Sequence, residues 1–264
     1  MKIAASIVTY NSNLDEVLHV IQCFLAHEKA SIIFVIDNSQ QDKISRHLLF
    51  DERIVYKHFP NNPGYGSAHN YGLWQSIAQE IPYHVVLNTD LSFSADCINQ
   101  LVVFMENKPG VGLVMPRILN PDGSDQYLVR NNPTPFLFFI RRFFKNNKRA
   151  TRENLIYENR NKDYEQPMFH IPFISGCFMF FRTKVLKKSG LFDENIFMYT
   201  EDADLTRRVL QVAETAYWPK ATAVHNFKGG VHKSLKLTWY GFRSAFYYFN
   251  KWGWGNTLKD EVRQ

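Results

Sequence analysis

Short apolar runs alternate with segments of helical apolar spacing over residues 2–115 of the chain. Runs rich in β-branched and aromatic residues predict strands at 2–9, 31–36 (SIIFVI), 54–59, 83–87 (YHVVL) and 111–115. Apolar residues spaced three to four positions apart predict helices at 14–27, about 68–79 and 96–107. Strands that alternate with helices are typical of βαβ units, so the pattern predicts an α/β fold whose mostly parallel sheet is flanked by helices.

The pattern changes after residue 115. The segment 145–168 is highly polar, and we interpret it as a mobile excursion or a partly helical lid. Strand-like residues follow at 169–182, broken at Ser175 and Gly176, and then a short helix at 183–188. Strands near 214–218 and 221–225 and an aromatic C-terminal helix complete the prediction. With no clear linker, the chain is predicted to be a single domain, 1–264, with halves 1–115 and 116–264.

Composition narrows the class of protein. Its 264 residues are 45% hydrophobic, enough for a substantial core. Three widely separated cysteines, Cys23, Cys97 and Cys177, predict neither a disulfide framework nor a zinc site. The apolar run at the N-terminus is too short for a signal peptide, and no run approaches the ~18 residues of a membrane span. We therefore expect a protein of the cytosol.

The net charge of +6 is unevenly spread. Cations interleave with aromatic residues in two segments, 136–152 and 228–251. Since neither segment has an RNA-binding or helix-turn-helix signature, we expect no nucleic-acid partner and favour a peripheral contact with an anionic membrane. A solvated surface over a packed aromatic cluster is the alternative. The oligomeric state does not follow from the sequence.

Polar residues follow the predicted strands where a ligand would bind in an α/β sheet. They are Thr9-Tyr10-Asn11, Asp37-Asn38-Ser39, Asn88-Thr89-Asp90 and His225. A loop with Gly64 and Gly66 resembles a phosphate-cradling turn before a helix. His69 stands where a dinucleotide fingerprint needs its third glycine, which disfavours a dehydrogenase.

Asp90 and His225 together are candidates for a metal site. Carboxylate oxygen suits Mg²⁺ or Mn²⁺, and Mn²⁺ also accepts imidazole. A turn carboxylate and a hydrogen-bonded histidine are the structural alternatives.

Three carboxylates, Glu201, Asp202 and Asp204, lie within four positions. In the structural interpretation, Thr200 caps a helix whose first turn they occupy. In the chemical interpretation, one of them is a general base.

Several of these segments jointly resemble a known family. They are YN (10–11), IDNS (36–39), NNPGYGSAHNYG (61–72), NTD (88–90), SGCFMFFR (175–182), GLFDENIFMYTEDADLTRR (190–208) and AVH (223–225). Over about residues 1–250 the chain resembles family 2 inverting glycosyltransferases with a GT-A fold, most closely their bacterial rhamnosyltransferase-like branch. The resemblance implies a nucleotide-sugar-binding half, 1–115, and an acceptor-binding half, 116–264.

The resemblance also implies roles for single residues. Asp37 would bind a pyrimidine base, and Asp90, with His225, would bind Mg²⁺ or Mn²⁺ at the donor diphosphate. Asn88 replaces the first aspartate of the family's DxD motif, which leaves one anionic ligand. The nucleotide-sugar contacts implied are Thr9, Asn11, Asp37, Asn38, Gly64, Gly66, Asn70, Asn88, Thr89, Asp90 and Lys233.

Catalysis is implied at the acidic segment. Asp202 would be the base, and Glu201 would raise its proton affinity as a neighbouring like charge. Asp204 would pair with Arg207 or Arg208. Ser175 and Gly176 are interpreted from the sequence as part of the acceptor-binding pocket, and a strand kink without contact to the substrate is the alternative. Lys233 or Arg243 would stabilise the departing diphosphate.

The donor implied is dTDP-L-rhamnose, with a UDP-hexose or UDP-N-acetylhexosamine as the alternative. The acceptor implied is a surface polysaccharide, a lipopolysaccharide or a lipid-linked saccharide at the cytoplasmic face of a membrane. Two other classes remain possible at this point: a nucleotidyltransferase and a non-catalytic nucleotide-sugar-binding module.

Overall fold

A mixed sheet is the centre of the fold. The computed structural model describes residues 2–138, 148–227 and 235–255. Within them the strands are β1 Ile3–Thr9, β2 Ala30–Asp37, β3 Ile54–His58, β4 Tyr83–Leu87, β5 Leu91–Ser92, β6 Val111–Leu119, β7 Val129–Arg130, β8 Met168–Phe169, β9 Phe173–Ile174, β10 Phe178–Arg182 and β11 Glu214–His225. Nine of these described strands form the main sheet, in the order β3-β2-β1-β4-β10-β6-β11-β5 with β8 beside β11, and β7 pairs with β9 separately.

The predicted α/β architecture is confirmed, although antiparallel pairs are as frequent as parallel ones in the main sheet of the described residues. Strands β3, β2, β1 and β4 run parallel, as do β6 and β11, and β10 lies antiparallel between β4 and β6. Every residue of β4 is buried, as expected for a strand covered on both faces. The order places the carboxyl ends of β1, β2 and β4 along one edge of the sheet.

Helices cover the sheet. They are α1 Leu14–Leu25, α2 Tyr65–Ala78, α3 Ala95–Asn107, α4 Lys148–Tyr157, α5 Thr183–Ser189, α6 Glu201–Leu210 and α7 Leu235–Trp252, with a 3₁₀ turn at Ser45–His47. Within the ranges that the structure describes, none is long and apolar enough to cross a membrane.

Most predicted elements form, and the differences have local causes. Helix α2 begins at Tyr65, three residues before the predicted start, because Gly64 at φ +103° redirects the chain into it. The segments 214–218 and 221–225 join into the one strand β11, whose register against β6 shifts between Trp218 and Thr222.

Part of the polar segment 145–168 is helical, as α4. Beyond α4, Tyr164 is buried, and its hydroxyl lies 2.9 Å from the carbonyl of Glu158 and 3.2 Å from that of Val129. Movement of this segment as a lid stays a prediction.

The expectation that the Thr200 side chain caps α6 is wrong in its detail. Thr200 occupies the N-cap position but makes no side-chain cap bond. Its hydroxyl donates instead to the carbonyl of Ser244 in α7, at 3.3 Å. The start of α6 is thus tied to the C-terminal helix.

Candidate active site

The ends of β1 and β2 are joined by their polar residues. The Thr9 hydroxyl donates to Asp37 Oδ1 at 3.1 Å, and the Asn38 amide donates to the Thr9 carbonyl at 2.8 Å. The Asn11 amide donates to the Ser39 hydroxyl at 2.8 Å. The residues predicted to surround the nucleotide therefore lie together.

Asp37 and Asn38 differ in how many of their side-chain hydrogen bonds are made within the protein. Asp37 is 1% exposed and accepts further hydrogen bonds from the Ser39 amide at 2.9 Å and the Tyr56 hydroxyl at 3.0 Å. The side-chain Nδ2 of Asn38 donates to the Gly64 carbonyl at 3.2 Å, but the side-chain Oδ1 is buried with no partner among the described residues. Asn38 Oδ1 is thus an acceptor that a ligand could satisfy.

The glycine loop is packed against the protein itself. A Cβ at Gly64 would lie 2.6 Å from the Phe197 carbonyl oxygen, and one at Gly66 would lie 2.8 Å from Phe192 Cβ. Asn70 exchanges hydrogen bonds with the backbone of Phe192, at 3.0 Å in each direction. The glycines therefore allow a close approach between α2 and residues 192–197. Contact of Gly64, Gly66 and Asn70 with a nucleotide stays a prediction.

Tyr65 connects this region to the next strand. Its hydroxyl lies 2.9 Å from Asn88 Oδ1 and 2.8 Å from the Gly176 carbonyl. The Asn88 amide donates to the Cys177 carbonyl at 2.9 Å, and Thr89 follows, half-buried. Tyr65 was not among the predicted site residues, although it stands between Gly64 and Gly66.

Asp90 and His225 meet where β5 pairs with β11. Asp90 Oδ1 lies 3.0 Å from His225 Nε2, and Asn88 Nδ2 lies 3.4 Å from the same nitrogen. The other ring nitrogen, Nδ1, is 2.8 Å from Gln126 Oε1, so Gln126 orients the imidazole. Gln126 carried no signal in the sequence.

The chemistry of Asp90 and His225 fits a divalent ion held partly by substrate. Among the residues that the structure describes, no group of three His, Cys, Asp or Glu side chains could hold a metal. Mg²⁺ and Mn²⁺ sites commonly use one or two protein ligands together with phosphate oxygens. One carboxylate and one imidazole are compatible with such a site.

Asp202 lies beside Gly176. The Gly176 amide donates to Asp202 Oδ2 at 2.8 Å, and the Ala203 amide donates to Oδ1 at 2.9 Å. A Cβ at Gly176 would lie 3.3 Å from Asp202 Cβ, tighter than an ordinary contact, so glycine permits this approach. Ser175 is anchored to the Leu128 carbonyl through its amide, at 3.2 Å. Asp202, Gly176, Tyr65 and Asn88 thus form a continuous chain of contacts toward Asp90.

Burial dominates the titration of the acidic pair. It raises the pKa of Asp202, while the Gly176 amide and the charge of Arg130 act to lower it. Burial also raises the pKa of Glu201, followed by the like charge of Asp202. Since Glu201 Oε2 is buried without a partner in the described ranges, Asp202 ionises first of the two. The like charge therefore acts mainly on Glu201, and the expected effect of Glu201 on the pKa of Asp202 stays a prediction.

The backbone before the acidic pair is strained. Tyr199 has φ +89°, a conformation that a bulky side chain rarely adopts. Asp204, in contrast, has a structural role: it is fully buried and forms the predicted pair with Arg208, at 2.9 Å. Backbone strain like that at Tyr199 is concentrated at functional sites, and here it lies in the turn directly before Glu201 and Asp202.

Two predicted cations are not part of this cluster as described. Lys233 lies outside the described residues. Arg243 is exposed on α7, where it lines an apolar cavity with Trp239 and Phe246. Its assignment to the departing diphosphate stays a prediction.

Solved structures with a similar fold are glycosyltransferases. GalNAc-T7, solved with UDP, GalNAc and Mn²⁺, has a TM-score of 0.61 at 12% identity over 86% of this chain and 44% of that chain. S. aureus TarS 1–349 has a TM-score of 0.59 at 15% identity over 86% and 60%. The mannosyltransferase PcManGT from Pyrobaculum calidifontis, with GDP-Man and Mn²⁺, has 0.54 at 13% identity over 87% and 58%. The chain spans only about half the length of these proteins, and its fold is of the GT-A glycosyltransferase class.

Sequence comparison identifies the family. Residues 5–190 match the model of glycosyl transferase family 2, and the chain belongs to this family. It is also 25% identical over 223 residues to an N-acetylglucosaminyl-diphospho-decaprenol L-rhamnosyltransferase from two strains of Mycobacterium tuberculosis, covering 76% of this chain and 68% of that protein. The resemblance to rhamnosyltransferase-like members is thereby confirmed.

Proposed function

We propose that the protein is an inverting glycosyltransferase that moves a sugar from a nucleotide-diphosphate sugar to a hydroxyl of a lipid-linked or surface saccharide. The donor that we favour is dTDP-L-rhamnose. The observation that carries the proposal is the position of Asp202. A half-buried carboxylate with a raised pKa is linked through Gly176 and Tyr65 to Asn88 and the Asp90–His225 pair. This arrangement suits a base close to, but separate from, a diphosphate site.

The base acts on the acceptor. The acceptor hydroxyl attacks the anomeric carbon from the face opposite the nucleotide, its proton passes to Asp202, and the bond to the diphosphate breaks with its electron pair. The Gly176 and Ala203 amides hold the carboxylate in one orientation. Asp202 must be ionised for this step, and the two amides favour that form.

A divalent ion, Mg²⁺ or Mn²⁺, belongs to the proposal. Asp90 and His225 would hold it, with the donor diphosphate completing its coordination. When bound, such an ion supplies positive charge to the departing diphosphate. Gln126 would keep His225 Nε2 directed at the site.

The proposal also specifies the nucleotide sugar that serves as the donor. The relatives from M. tuberculosis are named for L-rhamnose transfer, which favours dTDP-L-rhamnose. A solved structure of TarS with UDP-GlcNAc has a TM-score of 0.58, which makes UDP-N-acetylhexosamine the alternative, with UDP-hexose beside it. Asp37, Asn38, Thr9 and Asn11 would contact the nucleotide in either case.

Calorimetric titration of dTDP and UDP, with Mn²⁺ and then with chelator, tests the donor site. We expect binding that depends on the metal and prefers dTDP. Asp90→Asn should weaken the metal-dependent part, while Asp96→Asn, an exposed position on α3, serves as the control. Absence of binding by either nucleotide in both conditions would contradict the proposed donor class.

Replacement of the base tests the catalytic step. Asp202→Asn keeps the side-chain shape but removes the proton acceptor, so turnover should fall by about two or more orders of magnitude while nucleotide binding persists. Initial rates of nucleotide diphosphate release give the first quantity, and calorimetry gives the second. Retained turnover would remove Asp202 from the mechanism.

A peripheral contact with an anionic membrane is also proposed, at the cytoplasmic face. Helix α7 exposes Trp239 and Phe246, at 66% and 60% of their surface, and the nearby Trp254 at 48%. These rings line an apolar cavity of about 360 Å³ that also includes Arg243. Exposed aromatic rings beside a cation suit the interface of an anionic bilayer. Arg141, Arg142 and Lys145, which the sequence also suggests, lie outside the described residues.

Vesicle sedimentation tests the membrane contact. Binding to vesicles in which about one third of the lipid is phosphatidylserine should weaken as the salt concentration rises. The double variant Trp239→Ser, Phe246→Ser should bind these vesicles more weakly than the unaltered protein does. Trp74→Ser on α2 is the matched control, because Trp74 is 63% exposed on another helix. Equal binding to neutral and anionic vesicles would contradict the proposal.

A further inference from the structure

Phe227 is an exposed aromatic residue beside the proposed metal pair. It lies two residues after the end of β11, and 60% of its surface is exposed. Its ring centre is 5.7 Å from that of His225, and the two rings are tilted by 34°. The ring therefore has a proposed metal ligand as its neighbour and leaves most of its own surface open.

The backbone that carries Phe227 is anchored on both sides. The Asn226 amide donates to the Asp90 carbonyl at 2.8 Å, and the His225 carbonyl accepts from Gln126 Nε2 at 2.6 Å. His225 is also paired with Leu91 where β11 meets β5. Phe227 is thus attached to the same strand ends that bring Asp90 and His225 together.

Phe227 does not contribute to the core. It is absent from the hydrophobic clusters that the described residues form. A single exposed apolar side chain is ordinary on a protein surface. Phe227, however, lies at the edge of the sheet where ligands bind in α/β folds, and small-molecule sites combine aromatic side chains with a few polar groups. At this edge Phe227 supplies the aromatic surface, and Asp90 and His225 supply the polar groups.

The connectivity of a nucleotide sugar decides which of its parts reaches Phe227. The transferred sugar is bonded directly to the diphosphate, for which Asp90 and His225 are the proposed site. The nucleoside is at the other end of the diphosphate, and its proposed contacts include Thr9 and Asp37, the last residues of β1 and β2. In the sheet, β1 and β2 lie on one side of β4, whereas β11 lies on the other side, beyond β10 and β6. The sugar is therefore the part of the donor nearest to Phe227.

We propose that Phe227 is a platform for the transferred sugar of the donor and packs against the apolar face of its pyranose ring. One face of a pyranose presents C–H groups, and burial of such a surface against an aromatic ring is favourable. The inference rests on the proposed function and deepens it, because it assigns a contact to the sugar itself. A platform of this kind distinguishes a nucleotide sugar from the free nucleotide.

Calorimetric titration of matched ligand pairs tests the inference. The pairs are dTDP with dTDP-L-rhamnose and UDP with UDP-N-acetylglucosamine, all with Mn²⁺, and the quantity compared is the ratio of the affinity for the nucleotide sugar to that for the free nucleotide. Phe227→Leu should lower this ratio about fivefold or more, because the flat ring face is lost, and it should leave binding of the free nucleotide unchanged. Phe227→Tyr keeps the ring and should keep the ratio. Phe50→Leu, at a phenylalanine that is 53% exposed in the loop before β3, is the matched control.

The outcomes separate the inference from the proposed function. An unchanged ratio in Phe227→Leu, with the nucleotides still bound, would overturn the inference and leave the transferase proposal standing, and a raised KM for the acceptor in that variant would then assign the ring to the acceptor. Equal losses for the nucleotide sugar and the free nucleotide would also overturn it, because the ring would then support the diphosphate site. A lowered ratio in a protein that transfers no sugar would uphold the inference and count against the proposed catalysis.

Discussion

At the scale of single residues, Gly176 determines how closely the backbone approaches the base. Its amide reaches Asp202 at 2.8 Å because no side chain intervenes. A Cβ there would meet both Asp202 and Tyr65, with Tyr65 Cε1 at 3.4 Å. One glycine thus fixes the relation between the base and the residue that leads to Asn88.

Gly176→Ala should lower kcat by about tenfold or more, because a displacement of the base is costly to catalysis. Gly110→Ala is the control, since a Cβ at Gly110 would meet only the Glu214 carboxylate, at 3.4 Å. Unfolding midpoints of both variants should stay close to that of the unaltered protein. Unchanged kcat in Gly176→Ala would show that the contact does not position the base.

Protonation of Asp202 should determine how activity falls at low pH. Burial raises the pKa of this carboxyl, so it becomes protonated at a higher pH than an ordinary aspartate. Because the ionised form accepts the proton, kcat/KM should fall as pH decreases, and it should begin to fall above the range of an exposed aspartate. A pH profile under saturating metal measures this. Constant kcat/KM down to pH 4 would contradict the assignment.

At the scale of elements, α7 holds the start of α6 in place. The fully buried Asp204 accepts hydrogen bonds from Arg208 at 2.9 Å and the Trp252 indole at 2.8 Å, and Lys251 lies 2.9 Å away. Three cationic or N–H donors thus converge on one carboxylate. The C-terminal helix is therefore part of the support of the base.

Asp204→Asn should reduce the free energy of unfolding by about 3 kcal/mol, since it leaves Arg208 without its buried counter-charge and Lys251 with Asp193 alone. Urea titration at pH 7 measures the change. Asp122→Asn, in an exposed turn, provides the comparison. A loss below about 1 kcal/mol would mean that water or the existing pair with Asp193 compensates for the lost charge of Asp204.

Sequence patterns predicted the elements of this fold better than the contacts between them. Apolar runs such as 83–87 define β4 directly, and the polar residues after β1, β2 and β4 do meet at one edge. The partners of Gly64 and Gly66 are more than 120 residues away, so no local pattern could distinguish packing against Phe197 from binding to a phosphate. Tyr65, Gln126 and Arg130 are ordinary residues in sequence, and only the tertiary arrangement gives them their positions.

At the scale of the whole molecule, two buried histidines, His84 of β4 and His69 of α2, are linked between the sheet and that helix. Ser76, His84, Ser6 and His69 form a hydrogen-bonded chain with distances of 2.7 to 2.8 Å. Burial lowers the pKa of His84 to about 3 and that of His69 well below its usual value. Both side chains are therefore neutral in the folded protein over the physiological range.

Acid should destabilise the fold through these histidines. Their folded pKa lies below the unfolded value near 6.5, so their contribution is complete above that pH and is lost as pH falls toward the folded value. Each should contribute a slope of about 1.4 kcal/mol per pH unit below pH 6. Urea unfolding at pH 7, 6 and 5 measures the slope, and His84→Gln should reduce it by about half. An unchanged slope in that variant would assign the acid sensitivity to other groups.

The place of β10 has a consequence for how the chain folds. Strand β10 is inserted between β4 and β6, and the sheet partners of β6 are β10 and β11. Until residue 182 has left the ribosome, β4 presents an open edge and β6 has nothing to pair with. Long-range pairing of this kind slows folding and exposes unpaired strands meanwhile. A nascent or truncated chain that ends near residue 115 should therefore aggregate or recruit chaperones, even though every residue of its predicted nucleotide loops up to Asp90 is already present.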